Sequence, residues 1–207
     1  MTRYAFYFDA SSCSGCKACQ AACKDKHHLA PGLLWRRVYE VSGGDWLWDG
    51  GAWVSNVFAY NVSLACCHCE RPICQEVCPA KAISQRADGI VLIDPGRCLG
   101  CKYCSWACPY GAPQYDLHAG RMTKCTLCYD EIDQGRSPAC VAACPLRVLD
   151  FGDLDELVER HGGLSEIFPL PEAALTQPAL VITPHQAARR ARSAGARVAN
   201  WEEVRPR

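Results

Sequence analysis

The chain has 207 residues, with 22 basic and 22 acidic side chains and a formal net charge of zero, enough for one medium-sized or two small domains. That balance gives no electrostatic footprint for a nucleic-acid partner. Seventeen cysteines mark either a disulfide scaffold or a metal protein. No apolar run approaches the roughly 18 residues of a membrane span, and no hydrophobic h-region opens the sequence. The expectation is a chain with neither an export signal nor a membrane anchor of its own.

Residues 4–8 (Tyr-Ala-Phe-Tyr-Phe) predict a short strand. The first cysteine group follows: Cys13, Cys16, Cys19 and Cys23, spaced C-x2-C-x2-C-x3-C. Lys24 stands where a proline would stop the chain, so a helix is expected to run on through Lys26 to a solvated end at His27 and His28. In residues 31–64, Trp35–Val41 and Asn56–Leu64 have the β-branched and aromatic content of strands. Between them the glycine pairs mark turns and crowd Trp46, Trp48 and Trp53 together. This stretch reads either as a hairpin covering the cluster core or as a docking surface. The second is preferred, because tryptophan is enriched at binding hot spots.

The second group is Cys66, Cys69, Cys74 and Cys78-Pro79. Cys67 fits no ligand rhythm and reads as a free thiol, although spacing alone leaves open a register with Cys67 in place of Cys66. His68 reads as a packed side chain, the alternative being a hydrogen bond to a cluster sulfur. Two short strands around the Asp88-Gly89 turn then lead to the third group. This is Cys98-Leu-Gly-Cys101-Lys-Tyr-Cys104-Ser-Trp-Ala-Cys108-Pro109, the C-x2-C-x2-C-x3-C-P run of bacterial ferredoxins. Three thiolates at that spacing wrap one cubane, and the fourth, about a helical turn on, faces a second. The proline prevents regular backbone bonding beyond it. The fourth group is Cys125, Cys128, Cys140 and Cys144-Pro145. Its insert, residues 129–139, predicts a short helix ended by Gly135. Beyond it, Asp153 is a candidate cap for an amphipathic helix, residues 179–183 suggest a strand, and residues 185–207 read as a mobile tail or one ordered only against a partner.

Sixteen of the 17 cysteines thus form four groups of four. Crossing each fourth cysteine to the partner group gives four sets. Cys13, Cys16, Cys19 and Cys144 form cluster 1, and Cys23, Cys125, Cys128 and Cys140 form cluster 2. Cys66, Cys69, Cys74 and Cys108 form cluster 3, and Cys78, Cys98, Cys101 and Cys104 form cluster 4. With sulfur at every position, all four are expected to be [4Fe–4S]. A zinc site explains one C-x2-C…C-x2-C set but not the C-x2-C-x2-C-x3-C-P run, and a disulfide scaffold predicts no such rhythm. The basic residues beside the cysteines (Lys17, Lys24, Arg71, Lys81, Arg97, Lys102, Lys124) read equally as offsets to cluster charge or as solvated surface.

The expected fold is α+β, with two pseudo-symmetric ferredoxin-like modules, one nested within the other. Residues 1–30 plus 110–150 make the outer module and 65–109 the inner. A β-rich insert spans 31–64, a C-terminal docking segment 151–184, and the tail 185–207. No nucleotide loop, nucleophile constellation or open cluster position is apparent, so the chain is read as an electron carrier rather than an enzyme.

The chain resembles the iron–sulfur (beta) electron-transfer subunits of membrane-associated molybdopterin oxidoreductases, most of all those of anaerobic dimethyl sulfoxide reductases. The segments that carry the resemblance are Cys13-Ser-Gly-Cys-Lys-Ala-Cys, Gly43-Gly-Asp-Trp, Asn56-Val-Phe-Ala-Tyr, Gly100-Cys-Lys-Tyr-Cys, Ala107-Cys-Pro-Tyr-Gly-Ala-Pro-Gln-Tyr, Met122-Thr-Lys-Cys and Cys140-Val-Ala-Ala-Cys-Pro-Leu-Arg. They cover roughly residues 3–183. The resemblance implies a heterotrimer in which a membrane anchor oxidises quinol, a catalytic subunit carries molybdopterin, and this chain relays electrons between them. It implies attachment to the cytoplasmic membrane through partners, on the periplasmic face after co-export with the catalytic subunit, the cytoplasmic face being the alternative. Some relatives carry tryptophan at the position of Cys101 and a [3Fe–4S] cluster there; the cysteine here implies a cubane. A free-standing polyferredoxin-like carrier is the competing class. The terminal substrate (sulfoxide, N-oxide, polysulfide, tetrathionate, selenate or arsenate) and the direction of electron flow stay open.

Overall fold

The computed structural model describes residues 2–205. In chain order the elements are β1 (Tyr4–Asp9), α1 (Ala18–Lys26), β2 (Arg37–Gly43), β3 (Trp46–Asp49), β4 (Ala52–Ser55), β5 (Phe58–Leu64), α2 (Ile73–Glu76), β6 (Ile83–Gln85) and β7 (Val91–Ile93). They continue with α3 (Tyr103–Ala107), β8 (Gln114–Asp116), β9 (Arg121–Thr123), α4 (Tyr129–Ile132), α5 (Ala139–Ala142), β10 (Leu149–Asp153), α6 (Leu154–His161), β11 (Leu180–Thr183), α7 (Ala188–Ala191), β12 (Arg197–Val198) and α8 (Trp201–Val204). The mixture of short helices and small sheets agrees with the expected α and β content.

β1 is the centre of a three-stranded sheet. It pairs antiparallel with β10, Phe6 opposite Phe151, and parallel with β11, Phe6 opposite Leu180. It is buried on both faces, which explains its continuous apolar run. Ala5 and Tyr7 pack with Leu157 of α6, while Phe6 and Phe8 face the main core with the cysteine groups. Residues 151–184, expected as a docking segment, therefore hold β11 and the end of β10, both strands of the protein's own sheet, because β1 has two edges to satisfy.

The second sheet has the order β12-β2-β5. β2 and β5 form a seven-residue antiparallel ladder from Arg37–Leu64 to Gly43–Phe58. The segment expected as a mobile tail is built onto it through residue 205; the last two residues lie outside the described ones. Asn200 accepts from Glu40 N at 2.9 Å and donates to Val38 O at 2.9 Å, extending the β2 edge, and Val204 is fully buried. The alanine-rich composition hid this because the anchoring contacts come from a strand 160 and 162 positions away.

Hairpin β3–β4 turns through Gly50 and Gly51, both at positive φ (56° and 103°), as a two-residue loop prefers. Every residue of both strands is exposed, and Trp46, Trp48 and Trp53 stand about 60% open. The hairpin does not cover the cysteine core. Hairpins β6–β7, at the Asp88-Gly89 turn, and β8–β9 flank the third cysteine group.

Candidate iron–sulfur centres

The cysteine loops share one backbone device. The residue before the second cysteine of the first C-x2-C pair in each group is left-handed: Gly15, His68, Gly100 and Leu127, at φ 73°, 42°, 68° and 57°. Lys17 and Lys102 repeat it one step on, and Lys81, Gly111 and Arg147 repeat it three residues after Cys78, Cys108 and Cys144. Such turns aim successive N–H groups inward and make nests for anions. N–H groups of Leu127, Ala82 and Met122 already donate to the sulfurs of Cys125, Cys78 and Cys98 at 3.3, 3.3 and 3.4 Å. Gly100 is required twice over, since its φ is positive and a Cβ would stand 2.6 Å from Gly120 O.

The long-range folding then brings the groups together. One hollow has Cys13, Cys16, Cys19 and Cys144 in its wall. Another has Cys66, Cys67, Cys69, Cys74 and Cys108. Burial pushes the Cys23 thiol up to about 12, with Cys140 and Cys128 adding to it. Burial likewise raises Cys125, with Cys23, Cys66 and Cys140 as the neighbouring thiols. Cys104 is pushed up to about 11 by burial and then by Cys98, Cys101 and Cys78. Thiolates in ground this dry need adjacent positive charge, which iron supplies when a cluster is bound. Among the described residues no three His, Cys, Asp or Glu side chains converge on one ion; a cubane calls for a wider set, each thiolate on a different iron.

Cys66 and Cys67 part company here. Cys66 is the thiol acting on both Cys74 and Cys108. The Cys67 sulfur instead turns to Ala65 O, 3.8 Å away, and is buried. His68 is buried as expected, its Nδ1 accepting from Val91 N at 3.0 Å. That bond puts the neutral-ring proton on Nε2, which has no hydrogen-bond partner. The solvated helix end holds for His28 alone. His27 is half-buried against Trp35, with Nε2 3.3 Å from the Cys128 sulfur.

The basic residues divide as the sequence could not decide. Arg71, Lys81, Arg97 and Lys102 are exposed, and Lys17 pairs with Glu40 and Glu203 at 2.9 and 2.6 Å. Lys24 caps Ala30 O and Leu33 O at 2.8 and 3.2 Å. Lys124 is buried, giving its ammonium to Val91 O and to Cys125 O. Two further buried cations were missed altogether. Arg37 donates to Tyr110 O, Gly111 O and Val204 O at 2.7, 3.1 and 3.2 Å. Arg36 lies beside the sulfurs, over the ring of Phe6 at 4.5 Å. A dibasic pair opening a strand was the only signal for either.

A 4Fe-4S dicluster domain profile matches residues 57–154. The B subunit of the anaerobic dimethyl sulfoxide reductase of Escherichia coli (strain K12) is 50% identical over 203 residues, covering 98% of this chain and 99% of that protein. The same subunit of Haemophilus influenzae is 46% identical, covering 99% and 100%. The chain belongs to the family of anaerobic dimethyl sulfoxide reductase B subunits. More distant is the formate dehydrogenase iron-sulfur subunit of Wolinella succinogenes, 36% identical over 75% of this chain and 84% of that one. The protein is thus an iron–sulfur subunit that binds [4Fe–4S] clusters and transfers electrons, and its relatives are subunits of multi-subunit oxidoreductases. The nests, the hollows and the dry thiols fit that cofactor. No helix among the described residues is long and apolar enough to cross a membrane.

Proposed function

We propose that this chain is the relay between a quinol-oxidising membrane anchor and a molybdopterin catalytic subunit, in a dimethyl sulfoxide reductase-type complex. The four ligand sets are those given above, clusters 1 to 4, with Cys66 rather than Cys67 in the third. When bound, each cluster takes up and releases one electron. The chain itself makes and breaks no substrate bond; its residues hold the thiolates, exclude water and supply N–H groups to sulfur.

The observation that carries this reading is the distribution of exposure along the sets. Cys16 of the first set and Cys101 of the fourth are exposed, whereas all four cysteines of the second set are buried. Electrons can therefore enter and leave at the two ends, with the middle insulated. Adjacency supports the same order. Cys140 acts on Cys19, Cys66 acts on Cys125, and α2, with Cys74, packs on α3, with Cys104. The recurring left-handed positions support two related modules, residues 1–30 plus 110–150 around 65–109, with the 31–64 insert projecting. The open tryptophan hairpin supports fixed docking over a free-standing carrier. The 50% identity to a dimethyl sulfoxide reductase subunit favours a sulfoxide as the complex's substrate, and the family resemblance implies membrane attachment through partners, on the periplasmic face.

Iron, acid-labile sulfide and EPR on the anaerobically purified protein, with whatever co-purifies, test the proposal. About sixteen irons per chain, four reduced [4Fe–4S] signals and a molybdenum-containing partner are expected. About eight irons, or a stable monomer with no partner, would overturn it.

A further inference from the structure

The buried guanidinium of Arg36 is an unusual object. The residue is 2% exposed, and among the described residues it has no carboxylate partner. Its Nη1 donates to Ser63 Oγ at 3.1 Å and reaches Ser63 O at 3.5 Å. Nε and Nη2 are buried with no acceptor at all. A charge removed from water with most of its donors idle is costly unless an anion lies close by.

The surrounding atoms identify that anion. Ser63 Oγ lies 3.3 Å from the Cys19 sulfur, so the guanidinium reaches the first ligand set through one hydroxyl. The Arg36 backbone and guanidinium both hold the Cys23 thiol, assigned above to the second set, down against the larger effect of burial. The thiols whose charges act on it are Cys140, Cys19, Cys125 and Cys23, which is one member of the first set and three of the second. Cys19 and Cys23 lie one turn apart on α1, and Arg36 sits between the two groups to which they belong. Lys124 differs in this respect. Its ammonium already has the carbonyl oxygens of Val91 and Cys125. Arginine also keeps its proton where a buried lysine gives it up.

We infer that Arg36 is a positioning residue for electron transfer, the shared counter-charge of clusters 1 and 2, raising both reduction potentials together. A cluster becomes more negative on reduction, so a fixed cation in dry surroundings favours the reduced form. One cation between two clusters acts on both, keeping neither a deep trap relative to its neighbour. The inference rests on the ligand sets proposed above.

Arg36→Gln and Arg36→Lys, each in the assembled complex, test it by EPR-monitored redox titration, with iron content as the check on loading. Cys19→Ser and Cys23→Ser identify the two signals. In loaded Arg36→Gln, the oxidised-to-reduced ratio of both clusters at fixed solution potential should rise at least tenfold, about 59 mV for one electron. The other two clusters should move much less, and Arg36→Lys should stay within about threefold of wild type, about 30 mV by the same conversion. Both signals unmoved in loaded Arg36→Gln, only one moved, all four moved alike, or a Lys variant shifted as far as Gln would each overturn it. If Arg36→Gln loses iron, restoration by Lys supports a counter-charge, whereas loss in both variants rejects it in favour of shape. Failure of the ligand sets looks different: the two serine variants would then perturb one and the same cluster.

Discussion

At the scale of single residues, the chemistry turns on which sulfur faces inward. Cys66 and Cys67 are adjacent, both buried and both within reach of Cys108, yet Cys66 is the one that acts on Cys74, while the Cys67 sulfur turns to Ala65 O. Cys67→Ala should therefore leave iron content and all EPR signals intact at a cost of about 1 kcal/mol or less, a small cavity in the core. Cys66→Ser should alter one cluster. If Cys67→Ala alone lost iron, the register would be the other one. Cys101, exposed like Cys16 and proposed to hold the fourth cluster, is a point where change should show first in turnover. Cys101→Ser should shift one cluster's type or potential and slow the whole complex, as an end link must, and unaltered spectra together with unaltered rates would reject its place in the fourth set. The paired rhythm of the cysteines was legible in the sequence because ligand spacing is local. The partner of each buried cation was not, since Arg36 finds Ser63 and Cys19 only after β2 and β5 have paired.

At the scale of elements, the loops and caps obey short-range rules. Gly100→Ala puts an L-residue at φ 68°, costing about 1–2 kcal/mol, and drives a Cβ to within 2.6 Å of the Gly120 backbone oxygen. The expected result is selective loss of one cluster of four, read as about four irons fewer per chain. Full iron with unchanged spectra would mean that the loop relaxes freely. Asp153 caps α6 by accepting from Asp155 N at 3.0 Å, and its other oxygen accepts from Arg3 N at 3.0 Å. Asp153→Ala should cost about 1 kcal/mol, seen as about fivefold faster hydrogen exchange in α6 with the clusters untouched. Both the cap and the Asp88-Gly89 hairpin were readable in advance. They depend on residues within a few positions of each other, which the chain carries wherever it folds.

At the scale of the whole molecule, the two ends of the chain lock the middle. β1 and β11 lie side by side although Phe6 and Leu180 are 174 positions apart, and residues 197–204 seat on β2. Ending the chain after Pro184 removes Val204 O from the buried Arg37 guanidinium, an unsatisfied donor worth about 1–3 kcal/mol, and it uncovers the β2 edge. The truncated chain should exchange β2 amides faster and hold fewer irons in the purified complex. Unchanged exchange and full iron would return residues 185–207 to the status of a passive tail.

The cofactor class, the four cysteine groups, the hairpin turns and the helix cap were all legible in the order of the residues. Each of these is a relation between residues a few positions apart, set by ligand reach, backbone dihedrals or a single hydrogen bond. Only the folded chain shows that the Cys67 sulfur turns to Ala65 O while Cys66 lies against Cys74. Tertiary structure decided that Lys124 and Arg36 are buried while Lys102 and Arg97 meet water, that the C-terminal segments build the protein's own sheets, and that the tryptophan hairpin stands open. These are questions of burial and of pairing across the length of the chain. Their answer depends on which distant segments close over a group, and no local pattern carries that information.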